Sequence, residues 1–452
     1  MTSPTRILWI AILASFVSFL DGTIVNVALP AIDRELGGGL ATQQWVVDGY
    51  LITLGALMLL AGSVSDAIGR ALVLRIGLVG FGVASVAIAV APDPLILIMA
   101  RLVQGAAGAF LVPSSLALIT STFSGPAQAK AIGTWTSFTT GAMVVGPLIG
   151  GLLVDLASWR LAFLINVVPI VATLWMLRGT TDPQRLPDAR VDVPGAVLCT
   201  LGLGGIVYAL IEQPRLGWVH PAILGTALGG AFVFGLFLVR QRTARAPLLP
   251  LDLFRVRNFW VGNVATTFVY AGLSLNGFVL AIYLQQGAGL SATLAGLASL
   301  PVTILMILLS SRVGALAGRW GARAFMAVGP ITMAIGSAML LLVGSEFDYW
   351  WQVLPGMIVF GLGLTITVSP LTSTILGAIE PARSGIASAV NNAISRVAGL
   401  VAVAMIGPLI GGSLDLDGFH LACLVVSALL AAGGVVSWLG IRSAPGRESV
   451  AP

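Results

Sequence analysis

The chain has 452 residues, of which 57% are hydrophobic and only 9% are charged, and its formal net charge is +5. Soluble proteins carry about 25% charged residues, whereas about 20 consecutive apolar residues are enough to cross a bilayer. The composition therefore excludes an ordinary soluble protein and predicts a polytopic membrane protein. The two cysteines, Cys199 and Cys423, both lie in apolar segments and match no disulfide framework or metal-binding spacing.

Charges and Gly/Pro-rich joints divide the chain into about fourteen predicted spans. Most basic residues fall in the predicted inner loops and tails, and the predicted outer loops hold only Arg34, Arg160 and Arg215. The positive-inside rule therefore predicts a multi-pass protein of the inner (cytoplasmic) membrane with both termini in the cytoplasm. The predicted limits are 7–30, 44–65, 72–91, 95–119, 130–153, 161–178, 193–212, 220–240, 258–284, 292–313, 323–344, 350–374, 385–413 and 419–441.

The string GPLIGG occurs twice, at Gly146–Gly151 in span 5 and at Gly407–Gly412 in span 13. Three further pairs recur in the same order: GSVSDAIGR with GALAGRWGAR, VPSS with SPLT, and GPAQAKAIG with EPARSGIAS. Each pair is eight spans apart, so the two copies have the same orientation. This pattern predicts an all-α membrane protein with two pseudo-symmetric six-helix bundles and two extra linking spans. Such parallel repeats are typical of transporters, with the substrate site expected between the halves.

The repeat also predicts where the chain divides. We expect an N-terminal six-helix bundle at 1–180, two extra spans with basic cytoplasmic linkers at 181–257, and a C-terminal six-helix bundle at 258–441. A short cytoplasmic tail at 442–452 is expected to follow.

Several motifs resemble one transporter family. LDGTIVNVALP (Leu20–Pro30) is similar to the first-helix signature of the fourteen-helix drug:proton antiporters of the major facilitator superfamily. GSVSDAIGR (Gly62–Arg70) resembles the superfamily's loop-two signature, RLVQGAAGA (Arg101–Ala109) its fourth-helix signature, and GPLIGG the fifth-helix antiporter signature. WRLAFLIN (Trp159–Asn166) and APLLPLDLFRVRNF resemble two further stretches of the family. The resemblance implies the major facilitator fold and proton-coupled export of drugs or antibiotics by alternating access.

Two charged residues lie deep within predicted spans of the first bundle. Asp21 is nine residues inward from Pro30, roughly 13 Å at the helical rise. Arg101 is about seven residues, roughly 10 Å, inside the outer turn APDP. Ionisable residues within the bilayer are costly and mark function by default. We hypothesise that Asp21 alternates between a bound proton and pairing with Arg101 or a cationic substrate, and the alternative is a static ion pair.

Two motifs of the first bundle are predicted to act in gating. Gly146, Gly150 and Gly151 form a small face that lets another helix approach closely, and Pro147 bends span 5. The halves could rock about this face, or the glycines could serve tight packing alone. In the second motif Asp66 and Arg70 are spaced (i, i+4), so that they can form a charge latch, or act only as a topological anchor. The residues predicted to act in gating are Gly62, Asp66, Gly69, Arg70, Gly146, Pro147, Gly150 and Gly151.

The expected substrate cavity is lined by apolar and aromatic residues with few charges. Such walls suit amphipathic drugs and antibiotics, and they would equally suit an endogenous metabolite or a lipid. Each candidate residue could instead serve helix packing. The predicted substrate-binding residues are Asn26, Gln104, Trp135, Phe138, Tyr270, Asn276, Asn391 and Asn392.

Other function classes find no support in the sequence. The only lysine, Lys130, is followed by Ala131, so no phosphate-binding Gly-x-x-x-x-Gly-Lys-Ser/Thr loop exists and transport is expected to use an ion gradient, downhill diffusion or a separate partner. His220 and His420 lack metal-type spacing, so we expect no catalytic residue, metal or cofactor. A channel is a further alternative, although the duplication and the glycine face favour alternating access. The expected partners are a small amphipathic substrate, protons and the lipid bilayer, with no nucleic acid, and the chain is expected to be a monomer.

Overall fold

The computed structural model describes residues 3–180, 191–380 and 383–442, without the side chains of Asp66, Ala129, Val144 and Ser384. The predicted tail after residue 442 and most of the linker after residue 180 lie outside the described residues. Within the described ranges the chain is helical and contains no strand. Its α-helices are α1 (Pro4–Leu36), α2 (Gly39–Ile68), α3 (Arg70–Ala89), α4 (Pro94–Gly108), α5 (Leu111–Thr122), α6 (Gly125–Leu156), α7 (Trp159–Leu164), α8 (Val167–Met176), α9 (Val193–Leu216), α10 (Pro221–Thr243), α11 (Arg257–Gln286), α12 (Ala292–Ala298), α13 (Leu300–Trp320), α14 (Ala322–Met339), α15 (Leu354–Gly377), α16 (Ser384–Ile410) and α17 (Leu416–Gly440).

These helices form 14 spans that are long and apolar enough to cross a membrane. Spans 4, 6 and 10 each consist of two consecutive helices, namely α4 with α5, α7 with α8, and α12 with α13. Span 11 ends in a 3₁₀ turn at Leu340–Leu342, and span 12 begins with a π turn at Tyr349–Val353. The prediction of an all-α membrane protein with fourteen spans is confirmed. The side opposite to the two termini is called the outer side below, following the orientation predicted above.

The first span is longer than its sequence indicates. Span 1 was expected to end at residue 30, but α1 continues through Pro30 to Leu36. Contacts beyond the proline hold this extension, because Trp159 Nε1 donates to Glu35 Oε2 at 2.6 Å and Asp33 Oδ1 accepts the backbone N–H of Gly39 at 2.7 Å. The missing donor of one proline is offset by these tertiary contacts.

The two copies of GPLIGG have different structures. In the first copy the helix continues past Gly151 and α6 ends at Leu156. In the second copy α16 ends at Ile410, and Gly411 and Gly412 take left-handed φ values of 71° and 87°. The Gly412 N–H donates to the Gly407 carbonyl at 3.0 Å, which is the 6→1 bond of a glycine C-cap. The same six letters therefore serve once inside a helix and once as its terminus.

The chain contacts divide into two compact units. Unit 1 comprises Met1–Leu249, Leu280–Leu297 and Val403–Leu414, and unit 2 comprises Pro250–Val279, Ala298–Ala402 and Asp415–Pro452. Unit 1 thus contains the first eight spans together with the outer ends of spans 9, 10 and 13. The predicted domain limits at 180, 257 and 441 stay a prediction.

Close helix packing holds each unit, because lipid is as apolar as a protein core and gives little hydrophobic drive between spans. In unit 1 the buried side chains of Leu54, Phe81 and Ile170 form part of an apolar cluster next to the polar site described below. In unit 2, α14 and α15 approach so closely that a side chain on Gly336 or Gly363 would overlap the backbone of the opposite helix.

Candidate functional site

Asp21 and Arg101 form a fully buried ion pair in unit 1. Arg101 Nη1 in α4 lies 2.7 Å from Asp21 Oδ2 in α1, and the two side chains are 1% and 0% exposed. Asp21 is close to the midpoint of α1, so the pair lies far from both ends of that helix. The structure thus places the two predicted proton-coupling residues in direct contact, and their role in proton coupling stays a prediction.

The second oxygen of Asp21 accepts two more hydrogen bonds. Gln104 Nε2 donates to Asp21 Oδ1 at 3.0 Å, and Asn166 Nδ2, between α7 and α8, donates to the same oxygen at 2.9 Å. Gln104 was predicted to bind substrate, and it is fully buried in this network, where it also donates to Ser85 Oγ at 2.9 Å. Arg101 and Gln104 reach the same carboxylate because residues three apart share one helical face.

The guanidinium of Arg101 is held from a third helix, α2. Its Nε donates to the Val46 carbonyl at 2.8 Å, and its Cζ lies 4.4 Å from the centroid of the Tyr50 ring. The Tyr50 hydroxyl lies 3.3 Å from Ser18 Oγ in α1. Gly105 makes this approach possible, because a side chain there would overlap the Tyr50 carbonyl. Four elements of unit 1 therefore converge on one buried charge pair.

The two charges compensate each other inside the span. Leaving one member of a buried ion pair uncompensated costs about 3–5 kcal/mol. Separating Asp21 from Arg101 is therefore costly as long as both side chains stay charged. Asn166, Ser85 and Tyr50 were not singled out from the sequence; the only signal for them was a polar group within an apolar span.

The other predicted substrate-binding residues of unit 1, besides Gln104 in α4, lie along α1 and α6. Trp135 Nε1 donates to Ser15 Oγ at 3.0 Å, and the Trp135 side chain is nearly buried. Phe138 is 43% exposed, and its ring lies edge-on to that of Trp9 with centroids 5.2 Å apart. Asn26 is half-buried in α1. The exposed pair of Phe138 and Trp9 offers an aromatic surface, and the role of these residues in binding stays a prediction.

Two of the predicted substrate-binding residues of unit 2 lie on α16. Asn391 Nδ2 donates to Asn263 Oδ1 at 3.1 Å and to Thr266 Oγ1 at 2.8 Å, which joins α16 to α11. Asn392 is exposed, and its amide donates to the Ser388 carbonyl of its own helix at 3.1 Å. Asn391 is therefore engaged between helices, whereas the Asn392 side chain is exposed.

Spans 9 to 13 hold further polar groups. Tyr270 is half-buried and Asn276 is 7% exposed, both in α11. Two arginines that sequence analysis did not consider, Arg312 in α13 and Arg396 in α16, also lie within these spans, which contain no Asp or Glu. Arg396 Nε is buried without a hydrogen-bond partner in the described part of the chain. An intramembrane arginine with an unsatisfied buried donor is a functional candidate in its own right.

The predicted glycine face of span 5 contacts two different elements. A side chain on Gly146 would overlap Thr23, and a Cβ on Gly150 would lie 2.5 Å from Ile24 Cγ1, so both glycines face α1. Gly151 faces α12, where an added Cβ would lie 2.6 Å from the nearest backbone atoms. The face is thus in close contact on both sides, and its function as a rocking surface stays a prediction.

The outer end of span 5 also contacts span 10 through polar groups. Asp155 Oδ1 and Oδ2 accept the backbone N–H groups of Ala292 at 3.0 Å and Thr293 at 2.8 Å. One turn further on, a side chain on Gly296 would overlap the carbonyl of Pro147. The first turn of α12 is therefore fixed to the end of α6.

The loop after span 2 is only partly described. Gly62 is exposed, and Gly69 has φ +107°, a conformation that favours glycine. Arg70 Nη1 donates to the Ala117 carbonyl of α5 at 3.1 Å. The Asp66 side chain is outside the described residues, so the predicted latch between Asp66 and Arg70 stays a prediction.

The chain resembles known transporters over nearly its full length. The family model described as "Major Facilitator Superfamily" matches residues 11–403. A methylenomycin A resistance protein of Bacillus subtilis (strain 168) is 33% identical over 449 residues, which cover 97% of this chain and 95% of the relative. A puromycin resistance protein of Streptomyces alboniger is 34% identical over 88% of this chain and 80% of the relative.

Two further similarities point the same way. A multidrug resistance protein of Mycobacterium tuberculosis is 31% identical over 89% of this chain and 75% of the relative. A crystal structure of a peptide transporter in complex with sulfate superimposes with a TM-score of 0.73 over 97% of this chain and 94% of that chain. Its sequence identity is 13%, so this similarity concerns the fold alone.

Proposed function

The chain belongs to the Major Facilitator Superfamily, and from that premise we propose that it is a proton-coupled antiporter that exports amphipathic drugs or antibiotics by alternating access. It acts in the inner (cytoplasmic) membrane as a monomer with both termini in the cytoplasm. The observation that carries the proposal is the buried pair of Asp21 and Arg101 in the middle of the first bundle.

Proton coupling follows from the two charge states of Asp21. While Arg101, Gln104 and Asn166 donate to it, the ionised carboxylate is stabilised by three hydrogen bonds. A movement that withdraws Arg101 leaves a carboxylate in a low-dielectric site, where binding a proton removes the cost of the charge. A conformational change that breaks and restores this pair therefore takes up and releases one proton per cycle.

The substrate class rests on the relatives and on exposed aromatic side chains. The relatives are named for resistance to methylenomycin A, to puromycin and to several drugs. Phe138 and Trp9 are each about 40% exposed within the spans, and aromatic faces of this kind bind apolar and cationic groups. A drug with an apolar body is the substrate that such a surface favours.

The test is transport by the purified protein in liposomes with an imposed pH gradient. We expect uphill movement of drug with proton counterflow in the unaltered protein. Asp21→Asn should abolish both, because the amide cannot carry the proton, and downhill drug exchange by the same preparation checks that the variant is folded despite the unpaired Arg101. The matched control is Asp33→Asn, the same substitution at a partly exposed acid of the same helix, which should transport normally. Undiminished uphill transport by Asp21→Asn would refute Asp21 as the coupling site.

Export of an endogenous metabolite or a lipid by the same mechanism is the alternative function. A deletion strain separates the two possibilities. Raised sensitivity to antimicrobials supports drug export, whereas unchanged sensitivity together with an accumulated cellular compound supports the alternative.

A further inference from the structure

Asp48 is a buried acid without a partner. It lies in α2, is 0% exposed, and neither of its carboxyl oxygens has a hydrogen-bond partner within the described residues. Among the described side chains, the other two fully or nearly buried acids are compensated, since Asp21 pairs with Arg101 and Asp192 pairs with Arg240. An unpaired carboxylate removed from water is unfavourable by several kcal/mol, so Asp48 requires its own explanation.

The outer turns of α2 contact two other elements about one helical turn from Asp48, on its outer side. Gln44 Nε2 donates to the carbonyls of Val403 at 2.6 Å and Ala404 at 3.2 Å, in α16. Trp45 Nε1 donates to Glu212 Oε1 at 3.1 Å, in the extra span α9. We call these contacts the outer cluster.

The second GPLIGG copy completes the outer cluster. A Cβ on Gly407 would lie 3.1 Å from Gln44 Oε1 and 3.4 Å from Pro214 Cγ of α9, so α2, α9 and α16 meet closely here. Successive residues of a helix turn by about 100°. Asp48 therefore projects between the directions of Gln44 and Trp45, one turn deeper in the membrane.

In the part of the chain that the structure describes, no cation is placed to neutralise Asp48. Arg101 lies at the same level, but it contacts the opposite side of α2 through Val46 and Tyr50 and is paired with Asp21.

Within the described residues, the other helices packed against α2 offer no substitute. On α1, Arg6 donates to the carbonyls of Met176 and Arg178 near the inner end, and Arg34 is exposed beyond Pro30. On α9, Glu212 is bonded to Trp45 and paired with Arg215, and the Tyr208 ring lies 6.1 Å from that of Trp45. Arg70 and Arg75 of α3 are near its inner end, and neither α5 nor residues 403–410 contain a charged residue. Asp48 is thus fully buried, and the charged groups named on these helices are already paired or lie towards the helix ends.

We propose that Asp48 is a second proton-binding site, occupied whenever the outer cluster is assembled. When Gln44 separates from residues 403–404, water reaches Asp48 and the carboxylate ionises at neutral external pH. When the outer cluster reassembles, a carboxylate oxygen of Asp48 binds one proton from the outer solution. The next opening of the cluster releases that proton to the same side. This inference rests on alternating access in the proposed function, but the proton is distinct from the one that Asp21 carries.

The proposal makes closing of the outer side dependent on external pH. Because one proton is taken up on closing, the equilibrium between open and closed forms changes by up to about tenfold per pH unit. Acid outside favours the closed form and alkali outside favours the open form. Asp48→Asn removes this dependence, since asparagine is neutral at every pH and resembles the protonated acid.

The test measures access to the outer cluster by cysteine labelling. Ala404 is fully buried, so an Ala404→Cys variant reacts with a membrane-impermeant maleimide only when the cluster opens. The same variant is made with and without Asp48→Asn. The quantity measured is the labelling rate with Asp48 intact divided by the labelling rate with Asp48→Asn. This ratio cancels the intrinsic pH dependence of thiol chemistry. Protein without the new cysteine reports any reaction of Cys199 and Cys423.

Raising the external pH by two units should increase this ratio by more than tenfold. A ratio that stays constant within about twofold overturns the proposal. Glu212→Gln, which removes the compensated acid of the same cluster, should leave the pH dependence in place. If Asp48→Asn does not fold, Asp48→Ser serves, since serine is also uncharged. Normal uphill transport by Asp21→Asn would instead count against the proposed function, and the labelling ratio would still report on Asp48.

Discussion

Asp155 at the end of span 5 accepts the backbone N–H of Thr293 at the start of span 10, with 2.8 Å between Oδ2 and the nitrogen. Its other oxygen accepts the N–H of Ala292, so one carboxylate satisfies two free donors of the first turn of α12. Hydrogen bonds to a charged group contribute about 1.5–3 kcal/mol each. Asp155 is exposed, so its two bonds contribute at the lower end of this range, and they join the outer ends of spans 5 and 10.

We expect Asp155→Ala to open this contact. The loss of two charge-assisted bonds should raise external maleimide labelling of an Ala292→Cys variant at least about tenfold, and uphill transport should fall with it. Asp93→Ala is the control, because Asp93 also caps an outer helix end, that of α4, by accepting the Ile96 N–H at 2.9 Å. Equal labelling in the two variants would show that the Asp155 contact is not part of a gate.

Asn166 gives a prediction for the Asp21 network. Asn166→Leu removes one of three donors to Asp21 and destabilises its ionised form by about 1.5–3 kcal/mol. We expect proton-driven drug efflux to fall about tenfold or more, with little change in drug affinity. Thr173→Val is the matched control, since Thr173 is buried in the same span and its hydroxyl donates to the Pro169 carbonyl of its own helix. Equal rates in the two variants would exclude Asn166 from coupling.

The sequence was sufficient to predict the spans and to bring two buried charges to a similar depth. The apolar runs predicted the number of spans. The helical rise alone predicted that Asp21 and Arg101 lie at similar depths. Asn166 could not be placed in this way, because it lies at the break between α7 and α8, where the helical register is interrupted. Likewise, the continuation of α1 past Pro30 depends on two contacts that the span itself does not reveal. Glu35 bonds Trp159, which is remote in the sequence, and Asp33 bonds the backbone of Gly39, which follows the helix.

Asp48 was missed for a different reason. In the sequence it stands in WVVDGY, only ten residues into its helix, where an acid near a span end looks like an interfacial residue. Asp48 is nevertheless fully buried, and the neighbouring contacts of Gln44 with Val403 and of Trp45 with Glu212 join residues far apart in the sequence, which no local pattern specifies. The second GPLIGG also differs from expectation, because it ends a helix although the identical first copy lies within one.

An exposed ion pair in unit 2 gives a pH prediction. Arg383 Nη1 lies 2.6 Å from Asp252 Oδ2 and joins the start of α16 to the turn Leu251–Arg255 before span 9. The hydrogen bond from Arg383, assisted by its charge, holds the pKa of Asp252 below its usual value. A lowered carboxyl pKa means that the stabilisation is complete above the ordinary pKa and is lost as pH falls through the lowered one.

We therefore expect the turn before span 9 to loosen only in strong acid. In the unaltered protein, hydrogen exchange of residues 251–256 should become faster only in acid. In Asp252→Asn the same faster exchange should already occur at neutral pH. The effect should be small, because exposed pairs contribute about 0–1 kcal/mol. Asp417→Asn, at another acid near a helix start, serves as control. Identical exchange in Asp252→Asn and the unaltered protein at neutral pH would contradict the prediction.

The glycine face of α6 yields the last prediction, because the same helix supplies its own controls. A Cβ on Gly150 would lie 2.5 Å from Ile24 Cγ1 and 2.9 Å from Val27 Cγ2, so Gly150→Leu must push α1 and α6 apart. Gly133 in the same helix has open space around it, and Gly133→Leu should be tolerated. We expect both variants to insert into the membrane, with transport lost in Gly150→Leu and kept in Gly133→Leu. The added side chain would block any movement of α6 against α1 that transport requires. If Gly150 is purely structural, the substitution should instead first lower expression and thermal stability. Normal pumping by a stably inserted Gly150→Leu would rule out the rocking surface.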